Sequence, residues 1–397
     1  MAEEFSIEPV SKRGLRAFDV GVLWFDLSIG LLVFQAGALL AGLGFWNALL
    51  VSIAGSVIGS LILALTGIPG TRKGVPTMVS LRFLLGDVGS YLPTVLNVVQ
   101  LVGWTAFELF IMGEAAYRIT GFDRALWIVV FTLWCWLLAV WGPLSVIKHY
   151  LEKVVVWLAI TASAWLTLQT LKKVGATQGS VSEALPLLYA LDLVIAMPIS
   201  WWPLVADYNR FAVSNKEAIL GTLVGYALGN AWYYAVGAAM AIVTGEVLTP
   251  ASIAMMFFGT LALLPLVVDE TDNTWADIYS AAISLKNILP RASGRLLASA
   301  TALVGGALAL VLSPETYEWF LLMIGALFVP LSGALISDYI TGEAPSRRVR
   351  WESLASWAMG AAVYLLVINY CSWLGASLPS FATAFLLQII FKKLLKR

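Results

Sequence analysis

Twelve apolar runs, separated by short polar or Gly/Pro-rich connectors, follow one another along the chain. They fall near 20–43, 46–67, 88–118, 123–142, 149–171, 186–208, 216–245, 252–288, 294–312, 316–340, 351–370 and 374–391. Most reach the roughly 20 residues that a helix needs to cross a bilayer. The pattern predicts an all-α integral membrane protein with 12 transmembrane helices. Polar residues interrupt these runs at few places. An ionisable group inside a bilayer costs roughly 2.5 kcal/mol or more unless it is solvated, paired or bound to a cation, so each interruption marks a candidate site.

The densest interruption is PLVVDETDNTWADIYSAAISLKNILP, residues 265–290, at the end of the eighth run. On a helix, Asp269, Glu270, Asn273, Asp277 and Ser280 share an arc of about 100 degrees, with Asp272 at its edge. Such a stripe predicts a water-filled site inside a helix bundle. The first run, WFDLSIGLLVFQAGALLAGLGFW, is broken by Asp26, Ser28, Gly30, Gln35 and Gly37. A break near 28–32 would free backbone carbonyls to coordinate a cation. Asp26 either reaches the membrane interface or serves the site. The sixth run contains MPISWWPLVADYNRFA, where Pro198 and Pro203 each remove a backbone hydrogen bond and predict a kink or an unwound turn. Interruptions at corresponding places in two halves point to a site between inverted repeats. Trp201 or Trp202 is placed to close over a ring there. Asp207 and Arg210 end the run as a gate or a helix-end pair.

Run three carries two candidate faces. Gln100, Trp104 and Glu108 share one, while Phe107, Phe110 and Glu114 share its neighbour. Either puts an aromatic platform beside a carboxylate, which suits a flat ligand with N–H donors. The pattern leaves open which face is functional and which only packs. Gly221, Gly225, Gly229 and Gly237 in run seven suit close helix contacts, with Asn230 bonding across the interface.

Composition narrows the class. The chain has 397 residues, 60% hydrophobic and only 12% charged, about half the charged share of a soluble domain. The formal net charge is +0, which gives no reason to expect nucleic acid. The stretch before Phe18 is polar and lacks a cleavable-signal pattern, so the first span is expected to direct insertion. With the N-terminus inside, all of the 24 Lys and Arg except Arg118, Arg124, Lys172 and Lys173 fall on the inner side. This bias predicts a multi-pass protein of the inner (cytoplasmic) membrane with both termini cytoplasmic. His149 reads as interfacial, and Cys135 and Cys371 lie in apolar stretches, so neither a metal site nor a disulfide framework is expected. There is no histidine cluster, nucleophile elbow or phosphate loop, which argues against an enzyme.

Several separated pieces resemble the nucleobase:cation symporter-1 family, and most of all its branch of hydroxymethylpyrimidine permeases. They are WFDLSIG with GALLAGLGFWNAL, GVPTMVSLRFLLGDVG, NVVQLVGWTAF, MPISWWPLVADYNRFA and DIYSAAISLKNI, which together span about residues 20 to 290. The resemblance implies a five-plus-five inverted-repeat (LeuT-like) core with two accessory C-terminal helices. The segments are then a cytoplasmic 1–19, a first repeat 20–171, an external linker 172–185, a second repeat 186–340, accessory helices 341–391 and a tail 392–397. It also implies the import, by alternating access, of a planar heterocycle coupled to Na+ or H+. The expected substrate is hydroxymethylpyrimidine or a related thiamine precursor. The alternatives are a cytosine, purine or other nucleobase permease, and an aromatic amine or amino-acid symporter of the same fold.

By position, the family's aromatic and amide of span three match Phe110 and Glu114, and its ligand-contacting asparagine of span eight matches Asp277. Trp201 stands in for its stacking tryptophan, and Gln35 is a further candidate contact. The alternative face supplies Trp104 and Glu108. The family's sodium ligands match Thr271, Asp272 and the Val268 carbonyl, expected to meet the broken first span near Ser28 and Gly30. Asp26, Pro198, Pro203 and Asp207 are assigned gating or structural roles. No cofactor is expected beyond a bound Na+. The expected partners are a small planar substrate, a coupling cation and membrane lipid, with the chain working as a monomer.

Overall fold

The computed structural model describes residues 5–141, 156–174, 185–245, 263–342 and 347–395. His149, most of the 172–185 linker and the start of the eighth run lie outside the described residues. The regular structure of the described residues is helical, apart from one isolated bridge between Leu15 and Ala212. The first span is α1 (Ala17–Asp26) and α2 (Leu31–Ala38), followed by α3 (Phe45–Thr66). After three short turns come α4 (Tyr91–Thr120), α5 (Arg124–Trp141) and α6 (Val156–Val174). The sixth span is α7 (Leu187–Trp201) and α8 (Val205–Asn209), and then α9 (Asn215–Thr244), α10 (Leu263–Leu285), α11 (Gly294–Ala309) and α12 (Tyr317–Ile340). Two further helices, α13 (Trp351–Tyr370) and α14 (Ser377–Leu395), complete the chain.

Two groups of helices organise the packing. In one, α9 packs against α1, α2 and α3, and α3 also packs against α7. In the other, α4, α5, α10 and α11 pack against one another. Each group therefore takes two consecutive spans from each half of the chain, which is the packing of an inverted repeat. The glycines of α9 explain how closely it approaches the broken first span. A Cβ at Gly221 would strike the Ala17 carbonyl and Val20, and one at Gly237 the Phe34 carbonyl. Asn230 Nδ2 donates to Ser56 Oγ of α3 at 2.8 Å, which pairs the donor side of a buried amide.

Both interrupted spans are broken where their sequences predict. The axes of α1 and α2 differ by 62°. A 3-10 turn, Trp202–Leu204, separates α7 from α8, with Pro203 inside it. Pro198 sits within α7 and packs on Gly59 of α3. Neighbouring side chains satisfy backbone groups at this break. Gln100 Nε2 donates to the Ser200 carbonyl at 3.0 Å, and Ala206 N–H donates to Thr77 Oγ at 2.8 Å. Asp207 returns the contact by accepting from Thr77 N–H at 2.9 Å. Asp207 therefore clamps the connector turn to α8. Arg210 Nε donates to the Asp207 carbonyl at 3.3 Å, and its other nitrogens donate to the Ser6 carbonyl at 2.6 Å and the Tyr279 hydroxyl at 3.1 Å.

The C-terminal helices lock onto the core through a buried ionic cluster. Asp338 Oδ1 accepts from Arg350 Nη2 at 3.0 Å, Lys392 Nζ at 2.9 Å and Gln388 Nε2 at 3.1 Å. Arg350 also donates to the Phe83 carbonyl at 2.7 Å, which joins α13 to the connector before α4. At the other end, Asp192 caps α14, accepting from the Ala376 and Ser377 amides.

Among the described residues, six helices are long and apolar enough to cross a membrane, and the bent α1–α2 pair makes seven. The expected twelve thus exceed what length and apolarity alone support. One of those left out is α10, whose inward stripe of acids removes it from the apolar class although it is buried among its neighbours.

Candidate functional site

The acids of α10 separate into two groups because they leave the helix in two directions. Glu270, Asn273 and Asp277 lie one and two turns apart on one face, while Asp269 and Asp272 lie on the next. The first face meets the two broken spans and α4 around a small buried cavity. Trp104 and Glu108 of α4, Trp201 and Met197 of α7, and Glu270 and Asn273 of α10 line it, and Leu27, Leu32 and Val33 of the first span close it. Its volume is about 20 Å3, the room that roughly one water requires, so a ring enters only when the surrounding helices part.

The polar atoms around this cavity are mostly acceptors. Glu108 Oε2, Glu270 Oε1 and Asn273 Oδ1 are buried without a hydrogen-bond partner among the described residues, as is the donor Trp104 Nε1. A buried polar group without a partner costs about 1–3 kcal/mol, so a cluster of such atoms around one cavity makes it a candidate ligand site. Asp277, 2% exposed and with Oδ2 unpartnered, follows on the same face but does not line the cavity. The aromatic walls are held from behind. Trp201 meets Trp24 edge-on at 6.2 Å, and Trp104 meets Phe320 at 5.2 Å and Tyr317 at 6.0 Å.

The second face of α10 turns to α1. Asp26 is 1% exposed, which rules out snorkelling, and its carboxyl lies near those of Asp272 and Asp269. Both oxygens of Asp26 and of Asp269, and Oδ2 of Asp272, have no donor among the described residues. Trp275 Nε1 donates to Asp272 Oδ1 at 3.2 Å. Carboxyls that face one another in a low dielectric must hold a proton or a cation between them. Thr271 Oγ donates to the Val268 carbonyl at 2.7 Å within its own helix, and Ser28 Oγ to the Phe25 carbonyl at 2.7 Å. Asp272 neighbours Asp26 of the first span. The Gly30 region faces Glu270 and Asn273.

The structure separates the two candidate faces of span three. Trp104 and Glu108 line the cavity, and Gln100 braces the α7 break beside it. Glu114 lies elsewhere, paired with Arg118 at 2.9 Å and Arg124 at 3.4 Å where α4 ends and α5 begins. The Arg124 guanidinium also covers the Phe110 ring at 4.7 Å. Six residues separate Trp104 from Phe110, and that spacing turns the second pair away from the cavity. Gln35 is half-buried on α2 and does not line the cavity. Glu270 and Asn273 were visible in the sequence only as members of the polar stripe. Their pairing with the Gly30 break comes from the tertiary fold.

An inverted repeat whose two broken helices meet at a buried, acceptor-lined cavity defines a secondary transporter of the LeuT-like class. Over residues 7–350 the chain matches the model of the family described as permease for cytosine/purines, uracil, thiamine, allantoin. The chain belongs to this family of nucleobase:cation symporter-1 permeases. It is therefore a multi-pass cell-membrane protein that moves a small molecule together with a coupling cation. It is 27% identical to the cytosine permease of Escherichia coli (strain K12) over 377 residues, 92% of this chain and 86% of that protein. It is 26% identical to the purine-uracil permease NCS1 of Arabidopsis thaliana, over 83% of this chain and 62% of that protein. Its fold matches the closed conformation of Mhp1, a nucleobase-cation-symport-1 family transporter with bromovinylhydantoin bound. The TM-score is 0.80 at 20% identity, covering 100% of this chain and 96% of that one. These likenesses stand at the level of the family and do not single out the hydroxymethylpyrimidine branch.

Proposed function

We propose that this permease imports a nucleobase bearing an amino-substituted ring edge, cytosine or an aminopurine, by cation-coupled alternating access. The observation that carries this reading is the cavity. Two tryptophans flank it, and three of its orphaned polar atoms are acceptors against one donor. A flat ring stacks on the indoles while its amino and ring N–H groups satisfy Glu108 and its neighbours. The cytosine and purine permeases among its relatives favour the same substrates. Hydroxymethylpyrimidine shares the aminopyrimidine edge and belongs in the same binding panel.

The coupling ion, Na+ or H+, is assigned to the Asp26–Asp269–Asp272 group, with Thr271 and the Val268 carbonyl beside it. In this reading the chain crosses the membrane twelve times, with repeats 20–171 and 186–340 and both termini cytoplasmic, as the lysine and arginine bias supports. The test is binding by the purified protein of cytosine, adenine, guanine, uracil, hydroxymethylpyrimidine and phenylethylamine. Uptake of the ligands that bind is then measured in liposomes under an imposed Na+ or proton gradient. Saturable cytosine or aminopurine binding with gradient-driven uptake supports the reading. Binding of phenylethylamine alone, or of no nucleobase, overturns it.

A further inference from the structure

We propose that Glu270 serves the transporter with both of its oxygens: one holds the break of the first span, and the other reads a donor on the substrate ring. The substrate half of this proposal rests on the nucleobase reading above, whereas the helix half does not.

The helix half begins with α2. Its first N–H groups have no partner within the helix, and no side chain near its N-cap satisfies them. Glu270 Oε2 fills that role from α10, accepting from Leu31 N–H at 2.7 Å. A carboxylate at a helix N-terminus is also favoured by the helix dipole. Asn273, one turn further along α10, donates from Nδ2 to the Ile29 carbonyl at 3.1 Å. One N–H and one C=O of the break are therefore held by the same face of the same helix. Gly30 makes this approach feasible. Its φ of +151° is a conformation side chains disfavour, and a Cβ there would lie 2.8 Å from Glu270 Oε2 and 3.0 Å from Asn273 Nδ2.

The substrate half follows from the remaining oxygen. Glu270 Oε1 is buried without a partner, and Glu270 lines the cavity with Trp104, Glu108 and Trp201. The exocyclic amino group of the substrate ring, bound to Oε1, fixes the plane of the carboxylate whose other oxygen caps α2. Substrate occupancy and the geometry of the α1–α2 break thus meet in one side chain. A glutamine at 270 separates the two roles. Its single oxygen is claimed by Leu31 N–H, which leaves its NH2 group facing the cavity. The helix cap survives, but an atom that reads donors becomes one that reads acceptors.

The experiment uses the full-length protein with cytosine, which offers an amino group, and uracil, which offers a carbonyl at the same ring position. Backbone hydrogen exchange over residues 28–34 and binding titrations are recorded for the native protein, Glu270→Gln and Glu270→Ala. The expected result is native-like exchange in Glu270→Gln and faster exchange in Glu270→Ala. The cytosine-to-uracil affinity ratio of Glu270→Gln should move at least about tenfold toward uracil. An unchanged ratio in Glu270→Gln, or native exchange in Glu270→Ala, overturns the proposal. If Glu270→Ala does not fold, the ratio in Glu270→Gln decides. If the native protein binds no nucleobase, the proposed function falls, and hydrogen exchange still supports or overturns the helix role.

Discussion

Replacing Glu108 by alanine should weaken cytosine binding by one to two orders of magnitude, whereas the same change at Glu114 should leave it nearly intact. The two acids lie six residues apart on α4 and differ in surroundings. Glu108 is 3% exposed, lines the cavity and has an orphaned Oε2. A buried hydrogen bond from a ring N–H to such a carboxylate contributes about 1.5–3 kcal/mol, which corresponds to roughly 10- to 150-fold in Kd. Glu114 sits in partly exposed ion pairs with Arg118 and Arg124. Pairs of that kind are worth about 0–1 kcal/mol to stability and touch no ligand. Glu108→Gln keeps the size and one acceptor, so it should retain more affinity than Glu108→Ala. The assay is calorimetric titration of cytosine into detergent-purified protein, with thermal melting as a control on folding. Native affinity in Glu108→Ala together with lost affinity in Glu114→Ala would refute this assignment and move the pocket to the Phe110–Glu114 face.

Three further outcomes are expected. Asp272→Asn should bind cytosine but lose its stimulation by whichever of Na+ or protons drives uptake; unchanged coupling to both ions removes the Asp26–Asp272 pair from the ion site. Gly237→Val drives a side chain into the Phe34 carbonyl and should lower stability by about 1–3 kcal/mol, read as a drop in Tm. Asp338→Ala leaves Arg350 and Lys392 buried without their shared carboxylate and should destabilise by about 3–5 kcal/mol, with the cytosine Kd of the folded fraction unchanged.

Much of the architecture is legible in the sequence, because the bilayer imposes length and polarity on each span. The breaks at Gly30 and Pro203 and the glycine stripe of α9 stand in the linear pattern and recur in the fold. So does the concentration of acids on α10. These features follow from local rules: helix rise, missing N–H groups, the cost of charge in lipid, and the absence of a Cβ. The tertiary structure decided matters that local rules leave open. Helical periodicity leaves both Trp104–Glu108 and Phe110–Glu114 as candidate faces, and only the approach of α5 shows that Arg124 joins Arg118, one turn along α4, in pairing Glu114. The stripe on α10 reads as one site, yet the broken first span divides it, setting Asp272 beside Asp26 of α1 and Glu270 on Leu31 of α2. A carboxylate's role depends on which distant backbone or side chain comes within about 3 Å of it, and that distance is set by helices far apart in the sequence.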